Sequence, residues 1–173
     1  MPDPALSQAI REAYAAAPAD EVILHTLELN HPAFTQPIRV VRDHVDLTAT
    51  LEASAPVDPG APVTFVAYAF EIEPPQIEGP RPEVTIRIDN VSREITRNIE
   101  AAAVSGQPLT MIYRPYLSTD TSGPQMDPPL YLTVTDIQAD IWSVTARAAF
   151  ADLGNKRFPG EDYTSERFPG LVA

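Results

Sequence analysis

The sequence predicts a mainly β, α+β domain: an antiparallel β-sandwich or partial barrel with one or two short helices. Apolar and polar residues alternate with a period of two in several segments, most clearly at Val84, Ile86 and Ile88. The chain has 19 prolines but only 7 glycines, which favours stiff extended connections over long helices. Helical spacing of apolar residues is confined to two short windows.

These two windows predict the helices. Asp3 followed by Pro4 is a helix-start signal, and apolar residues then recur at helical spacing until Pro18 ends the pattern. The second helix is expected to begin at Ser92 and to end near Gly106.

Strands are expected where β-branched, aromatic and long apolar residues lie between turn signals. The predicted strands are 21–29, 37–41 with 47–51 as its extension, 63–73, 84–88, 109–117, 130–137 and 141–150, with a hairpin turn at 138–140. Residues 53–62 form the clearest loop because three prolines interrupt it, and we expect this loop to be mobile.

The charge of the chain limits its partners. Lys and Arg number 12 against 24 Asp and Glu, a net charge of −12, which disfavours sequence-specific or phosphate-directed nucleic-acid binding. The absence of cysteine excludes disulfides, thiolate metal sites and a cysteine nucleophile. We find no signal-peptide pattern and no apolar run long enough for membrane insertion, so a soluble protein is expected.

The C-terminal part contains a duplicated segment. Residues 157–160 and 167–170 both read Arg-Phe-Pro-Gly. Either both phenylalanines fill the core of the domain, or an extended arm carries two aromatic anchors to a neighbouring subunit. We divide the chain into one β-rich domain, 1–156, and a C-terminal arm, 157–173.

Few residues suggest chemistry. No two of the three histidines have a metal-binding spacing, and His44 between Asp43 and Asp46 is the most suggestive group, although a solvated loop explains it better. Glu71 and Glu73 share one face of a predicted strand, which fits a polar surface better than two opposed catalytic acids. We therefore expect no catalytic site, no metal and no cofactor.

Four aromatic residues lie on predicted strands. Trp142, Tyr113, Tyr116 and Tyr131 are compatible with a sugar-binding platform, because aromatic faces stack on sugar rings. Packing in the core explains these residues equally well and is the favoured interpretation.

Several blocks, in a fixed order, carry a resemblance to a known family. They are residues 37–41 (PIRVV), 68–75 (YAFEIEPP), 84–91 (VTIRIDNV), 158–160, 163–164 and 167–171. With these blocks the chain resembles, from residue 20 on, a domain-of-unknown-function family of minor tail proteins from long-tailed bacteriophages and prophages.

The resemblance implies a structural protein and no enzyme. A minor tail protein of this kind is expected at the tail tip of the virion, as a distal-tail or hub-like ring that joins the tail tube to tip proteins. It implies a tail-tube-like β fold, assembly in the host cytoplasm, and a homo-oligomer with a hexamer preferred over a trimer. The expected partners are the tail-tube protein, the tape-measure protein and other tail-tip proteins.

The same analogy assigns inter-subunit contacts. The loop at 53–62 is expected to stack on the next ring and the arm to grip a neighbour; the contact residues are Pro56, Pro59, Phe158, Tyr163, Phe168 and Leu171. An acidic lumen would let DNA slide without sticking. Two alternatives stay open: a virion module that binds carbohydrate receptors, and a cell-envelope hydrolase centred on His44 or on Glu71 and Asp89.

Overall fold

Eleven elements are present in the described part of the chain. The structure is a computed structural model and describes residues 7–16, 21–73, 83–89, 93–140 and 143–150. The helices are α1 (Gln8–Ala16) and α2 (Arg93–Ser105). The strands are β1 (Ile23–Asn30), β2 (Ile38–Val41), β3 (Leu47–Thr50), β4 (Pro62–Ala67), β5 (Phe70–Glu73), β6 (Glu83–Asp89), β7 (Thr110–Leu117), β8 (Leu130–Ala139) and β9 (Ser143–Phe150).

All nine strands form one mixed sheet, in the order β3-β4-β2-β1-β7-β8-β9-β6-β5. Every pair is antiparallel except β2 with β4. The predicted mainly β, α+β class is therefore confirmed. The sheet is strongly curled but is not a closed barrel, which agrees with the partial-barrel alternative.

The first helix begins later than the sequence predicted. Ser7 is not helical, and its hydroxyl accepts a hydrogen bond from the Ile10 backbone N–H at 3.2 Å, so Ser7 is the N-cap of α1. The Ser7 hydroxyl also donates to the Gln125 side chain at 2.7 Å. Asp3, the predicted start signal, lies outside the described residues.

The segment predicted as one strand, 63–73, is divided between two. β4 pairs with β2 and β3, whereas β5 pairs with β6 at the opposite end of the sheet. Only Tyr68 and Ala69 separate them, so these two residues join β4, the second strand from one edge of the sheet, to β5 at the other edge. Residues 47–51 do not extend β2; they contribute β3, which pairs antiparallel with β4.

Two further boundaries were tested. Gly106 has a φ of 68° directly after α2, which is the conformation expected of a glycine that ends a helix. The predicted hairpin between the last two strands is present, since β8 pairs antiparallel with β9, but its turn comes later than predicted because strand pairing continues through Gln138 and Ala139. A register shift between Val134 and Asp136 changes the alternation that the prediction relied on.

The curled sheet encloses an apolar interior. Its buried residues come from both halves of the sheet: Leu27, Leu29, Val40, Met111 and Leu132 meet Phe70, Val84, Ile86, Ile88 and Ala148. Helix α2 covers one end of this interior, where Ile99 packs against Val144 together with Ile38, Tyr68 and Ile137.

The outer face of β1, β2 and β7 is covered as well. The β3–β4 hairpin folds over it and forms a second apolar cluster, in which Phe65 packs against Tyr116 with ring centroids 6.0 Å apart. This cover matters for the site below, because it keeps water away from charged residues on the same face.

Several sequence predictions lie outside the described residues. Trp142, Ser92 and the arm with Phe158, Tyr163, Phe168 and Leu171 belong to them. In the described part of the chain, no helix has the length and apolar character needed to cross a membrane.

Candidate functional site

A cluster of buried charges lies beneath the β3–β4 hairpin. Glu28 of β1 and Arg39 of β2 face each other in register, and Arg114 of β7 lies beside Glu28 on the outer face of the sheet. The side chains of Glu28 and Arg114 are both 0% exposed. Arg39 Nε donates to Glu28 Oε2 at 2.9 Å, and Arg114 Nη1 lies 3.4 Å from the same oxygen.

The cluster also holds the loop at residues 53–62, which we call the proline-rich loop. Arg114 donates to both carboxylate oxygens of Glu52, at 2.7 Å and 2.8 Å, and Arg39 Nη2 donates to Asp58 at 2.9 Å. Glu52 directly precedes the loop that was expected to be mobile, and Asp58 lies within it. A bidentate arginine–carboxylate pair is among the strongest protein hydrogen bonds, so these contacts attach the loop to the sheet.

Backbone hydrogen bonds complete this attachment. Leu51 N–H donates to Ala61 at 3.0 Å, and Gly60 N–H donates to the Glu52 carbonyl at 3.1 Å. Pro56 and Pro59, the predicted contact residues of the loop, are both exposed on its outer side. The structure thus presents two prolines on a fixed loop; their contact with another subunit stays a prediction.

The electrostatics of the cluster favour attachment over catalysis. Although burial opposes it, the hydrogen bond with Glu52 and the charges of Glu28 and Glu52 raise the pKa of Arg114, so it keeps its proton. Burial also raises the pKa of Tyr116, whose hydroxyl donates to the Thr50 carbonyl at 3.0 Å. Neither group can exchange a proton near neutral pH.

Two atoms of the cluster have no hydrogen bond among the described residues. They are Glu28 Oε1 and Arg114 Nη1, both buried. Such atoms are costly in a protein interior, which makes the cluster sensitive to any change in its charge balance.

A serine–histidine pair occurs at the end of α2, but the histidine is not oriented to take the serine proton. Ser105 Oγ lies 3.0 Å from His31 Nε2. His31 Nδ1 accepts a hydrogen bond from the Ala33 backbone N–H at 3.0 Å, so the neutral ring carries its proton on Nε2 and cannot accept the serine proton there. The Ser105 hydroxyl donates to the Ala102 carbonyl at 2.7 Å.

Two of the residues considered for hydrolysis share one groove. His44 and Glu71 both line a groove of about 550 Å³. The carboxylates expected to orient His44 bind backbone instead: Asp43 accepts the His44 N–H at 2.6 Å and Asp46 accepts the Ala67 N–H at 2.8 Å. The side chain of Asp89 lies outside the described residues. Across the described part, no three His, Asp or Glu side chains are grouped to hold a metal.

The aromatic platform considered above is not assembled from the described residues. Tyr113 lies on the interior face of β7, next to Leu130 of β8. Tyr116 is three residues further along β7 and therefore points to the outer face, where it is fully buried. Tyr131 is on the outer face and only partly exposed.

A second candidate site opens at the end of the interior that α2 does not cover. We call it the His25 groove; it has a volume of about 320 Å³ and is lined by His25, Arg42, Ile72, Tyr113, Leu130 and Phe150 above a floor of Leu27, Val84, Ile86 and Leu132. His25 Nδ1 lies 2.8 Å from the Tyr113 hydroxyl, and the two rings are stacked. Burial lowers the pKa of His25, and the charge of Arg42 lowers it further.

The sequence offered only weak signals for these two sites. His25 falls on the same strand face as Leu27 and Leu29, which is the one hint that it borders the interior. Arg114 stands between apolar residues of a strand, and its partner Glu52 is 62 positions away. No local spacing relates two residues so far apart.

Comparison with known proteins gave one finding. The model of a family described as "Domain of unknown function (DUF1833)" matches residues 9–163. No curated protein matches the chain.

Proposed function

Given that the chain belongs to DUF1833, a domain family of unknown function, we propose that it is a structural minor tail protein of a tailed bacteriophage. In this proposal it forms a ring or hub at the tail tip of the virion and joins the tail tube to tip proteins. The ring is a hexamer, with a trimer as the alternative. The sequence blocks from residue 37 to residue 171 that resemble minor tail proteins supply the phage assignment.

The observation that carries the proposal is the fixed proline-rich loop. Two ion pairs, Arg114–Glu52 and Arg39–Asp58, hold this loop against the sheet while Pro56 and Pro59 face outwards. A surface that is already ordered loses little conformational entropy when it meets a partner. Burying the charges of Glu28 and Arg114 costs free energy. A binding role of the exposed loop that this cluster holds would explain why the cost is tolerated.

The open borders of the sheet support assembly as well. The end strands β3 and β5 have four residues each, and β2 pairs with β4 only at Val40 and Val41 within the described residues. Where β2 and β4 separate, a groove of about 610 Å³ lies between them. Strand borders of this kind accept strands from other chains.

The acidic composition fits a ring that surrounds DNA. A net charge of −12 repels phosphate, so a channel lined by such subunits would not retain the genome during passage.

The direct test is the mass of the native assembly. The full chain, produced together with its tail-tube protein, is expected to give the mass of six 18.9-kDa chains by native mass spectrometry. A purely monomeric protein in the presence of the tail-tube protein would contradict the proposal, as would an envelope-degrading activity that His44→Ala abolishes.

A matched pair of variants tests the loop. Replacing both Pro56 and Pro59 by Glu is expected to keep the ring but to weaken its binding to tail-tube rings, because a stacking surface would gain two charges. Pro108→Glu, at another exposed proline, is the control and should bind as the unmodified protein does. Equal binding by all three proteins would remove the loop from the interface.

A further inference from the structure

The His25 groove is an apolar site with a polar rim. Its floor residues Leu27, Ile86 and Leu132 are almost completely buried, while Arg42 on the rim is exposed. The volume of about 320 Å³ is near the lower limit of ligand-binding pockets, which run from roughly 300 to 1,000 Å³. A single aromatic side chain with a neighbouring residue is a suitable occupant.

The position of the groove follows from the strand register. Val144 at the start of β9 packs against α2, whereas Phe150 at the end of β9 lines the groove. Ile137 of β8 likewise packs against the cluster formed by Ile99 of α2 and Val144, and Leu130 at the other end of β8 lines the groove. The groove and α2 are therefore at opposite ends of strands β8 and β9.

The chain leaves the described structure at this groove. Phe150, the last described residue, is 38% exposed and lines the groove, and residues 151–173 follow it. Phe158 comes only eight residues after Phe150, a distance that an extended chain covers with up to about 27 Å. A tether this short keeps the segment at a high effective concentration beside the groove.

The first Arg-Phe-Pro-Gly segment has the chemistry that the groove needs. Phe158 supplies an aromatic ring for the apolar floor, and Pro159 has no N–H group that an apolar site would leave without a partner. The acidic residues Glu161 and Asp162 follow directly, and Arg42 on the rim can attract their negative charge.

We propose that the His25 groove binds the Phe158-Pro159-Gly160 segment of the same chain. The second copy of the motif, with Phe168, then remains available for a neighbouring subunit. The proposal does not require a ring, because it concerns contacts within one chain.

The cysteine-free sequence allows a clean disulfide-trapping test in the full chain. The test protein carries Arg42→Cys and Pro159→Cys; the matched control carries Val104→Cys and Pro159→Cys. Val104 is 89% exposed near the end of α2, the helix that lies at the other end of β8 and β9 from the groove. At low protein concentration, the test protein should form its intramolecular disulfide at least tenfold faster than the control.

Further variants distinguish the possible outcomes. Adding Phe158→Ala to the test protein should slow the reaction to the control rate, whereas adding Phe168→Ala should leave it unchanged. Equal rates for test and control proteins would overturn the proposal. Faster formation of a covalent dimer than of the intramolecular disulfide would overturn it too, because the groove would then bind the segment of another copy. The mass of the native assembly, measured by native mass spectrometry, tests ring formation independently of this disulfide experiment.

Discussion

A few residues determine how the outer face of the sheet is held together. Arg114 is buried with no exposed side-chain surface and binds Glu52 through two hydrogen bonds, while Arg39 binds Glu28 and Asp58. The two loop carboxylates differ in their surroundings, since Glu52 is 10% exposed and Asp58 is 49% exposed. This difference decides how much each ion pair stabilises the fold.

Glu52→Gln is expected to lower the free energy of unfolding by about 3 kcal/mol, because it leaves a buried guanidinium without its main partner. Asp58→Asn is the matched control and should lower it by only about 0.2–1 kcal/mol, as is usual for exposed pairs. Urea denaturation of both variants measures the difference. Similar losses would show that burial does not govern this cluster.

His25 makes stability depend on pH with a definite sign. Burial and Arg42 lower the pKa of His25 below its ordinary value of 6.5, so the unfolded chain binds a proton more readily than the folded one. The free energy of unfolding should therefore fall as the pH decreases through 6.5 towards the lower pKa of the folded state.

Two variants test this dependence by urea denaturation at about pH 7 and about pH 5.5. His25→Gln should lose less stability between the two pH values than the unmodified protein. Arg42→Gln should give an intermediate loss, because it removes the charge effect and leaves the effect of burial. An unchanged pH dependence in His25→Gln would contradict the assignment.

At the scale of elements, local patterns predicted what local forces determine. β1, β6 and β7 were found because alternating or two-sided apolar residues mark strands, and α2 was found from its spacing and from Gly106. The division of 63–73 was missed, because the alternation continues through Tyr68 and Ala69 while the pairing partner changes. Pairing partners depend on contacts between distant parts of the chain.

The attachment of the proline-rich loop was missed for the same reason. Prolines and charges in a connection are typical of a solvated, mobile segment, and nothing nearby in sequence indicates arginine partners. Arg39 is 19 positions from Asp58, and Arg114 is 62 positions from Glu52. The attachment becomes visible only when β1, β2 and β7 lie side by side.

The conformation of this loop gives a third prediction. Gly60 has a φ of 67°, and a Cβ atom there would meet nothing within 4 Å. Gly60→Ala should therefore lower the free energy of unfolding by about 1–2 kcal/mol from backbone strain alone. Gly123→Ala is the control, since it also has open space but no left-handed φ. Urea denaturation should find the control unchanged; equal effects would exclude the strain.

At the scale of the whole molecule, we expect the domain and the arm to make separable contributions. The strands and helices all lie before residue 151 in the described part of the chain. Deleting residues 157–173 is expected to leave the β-sheet folded, as measured by circular dichroism, while native mass spectrometry finds weaker assembly. A truncated protein that assembles normally would show that the arm takes no part in oligomer formation.

The connection through Tyr68 and Ala69 restricts how the molecule can deform. From Ala67 to Phe70 the backbone can extend by at most about 11 Å, so the end of β4 and the start of β5 cannot separate further than this link permits. The sheet therefore cannot open between β4 and β5 to admit a ligand from that side. A force that pulls β4 away from β5 would be resisted by the covalent backbone of this link as well as by hydrogen bonds between strands.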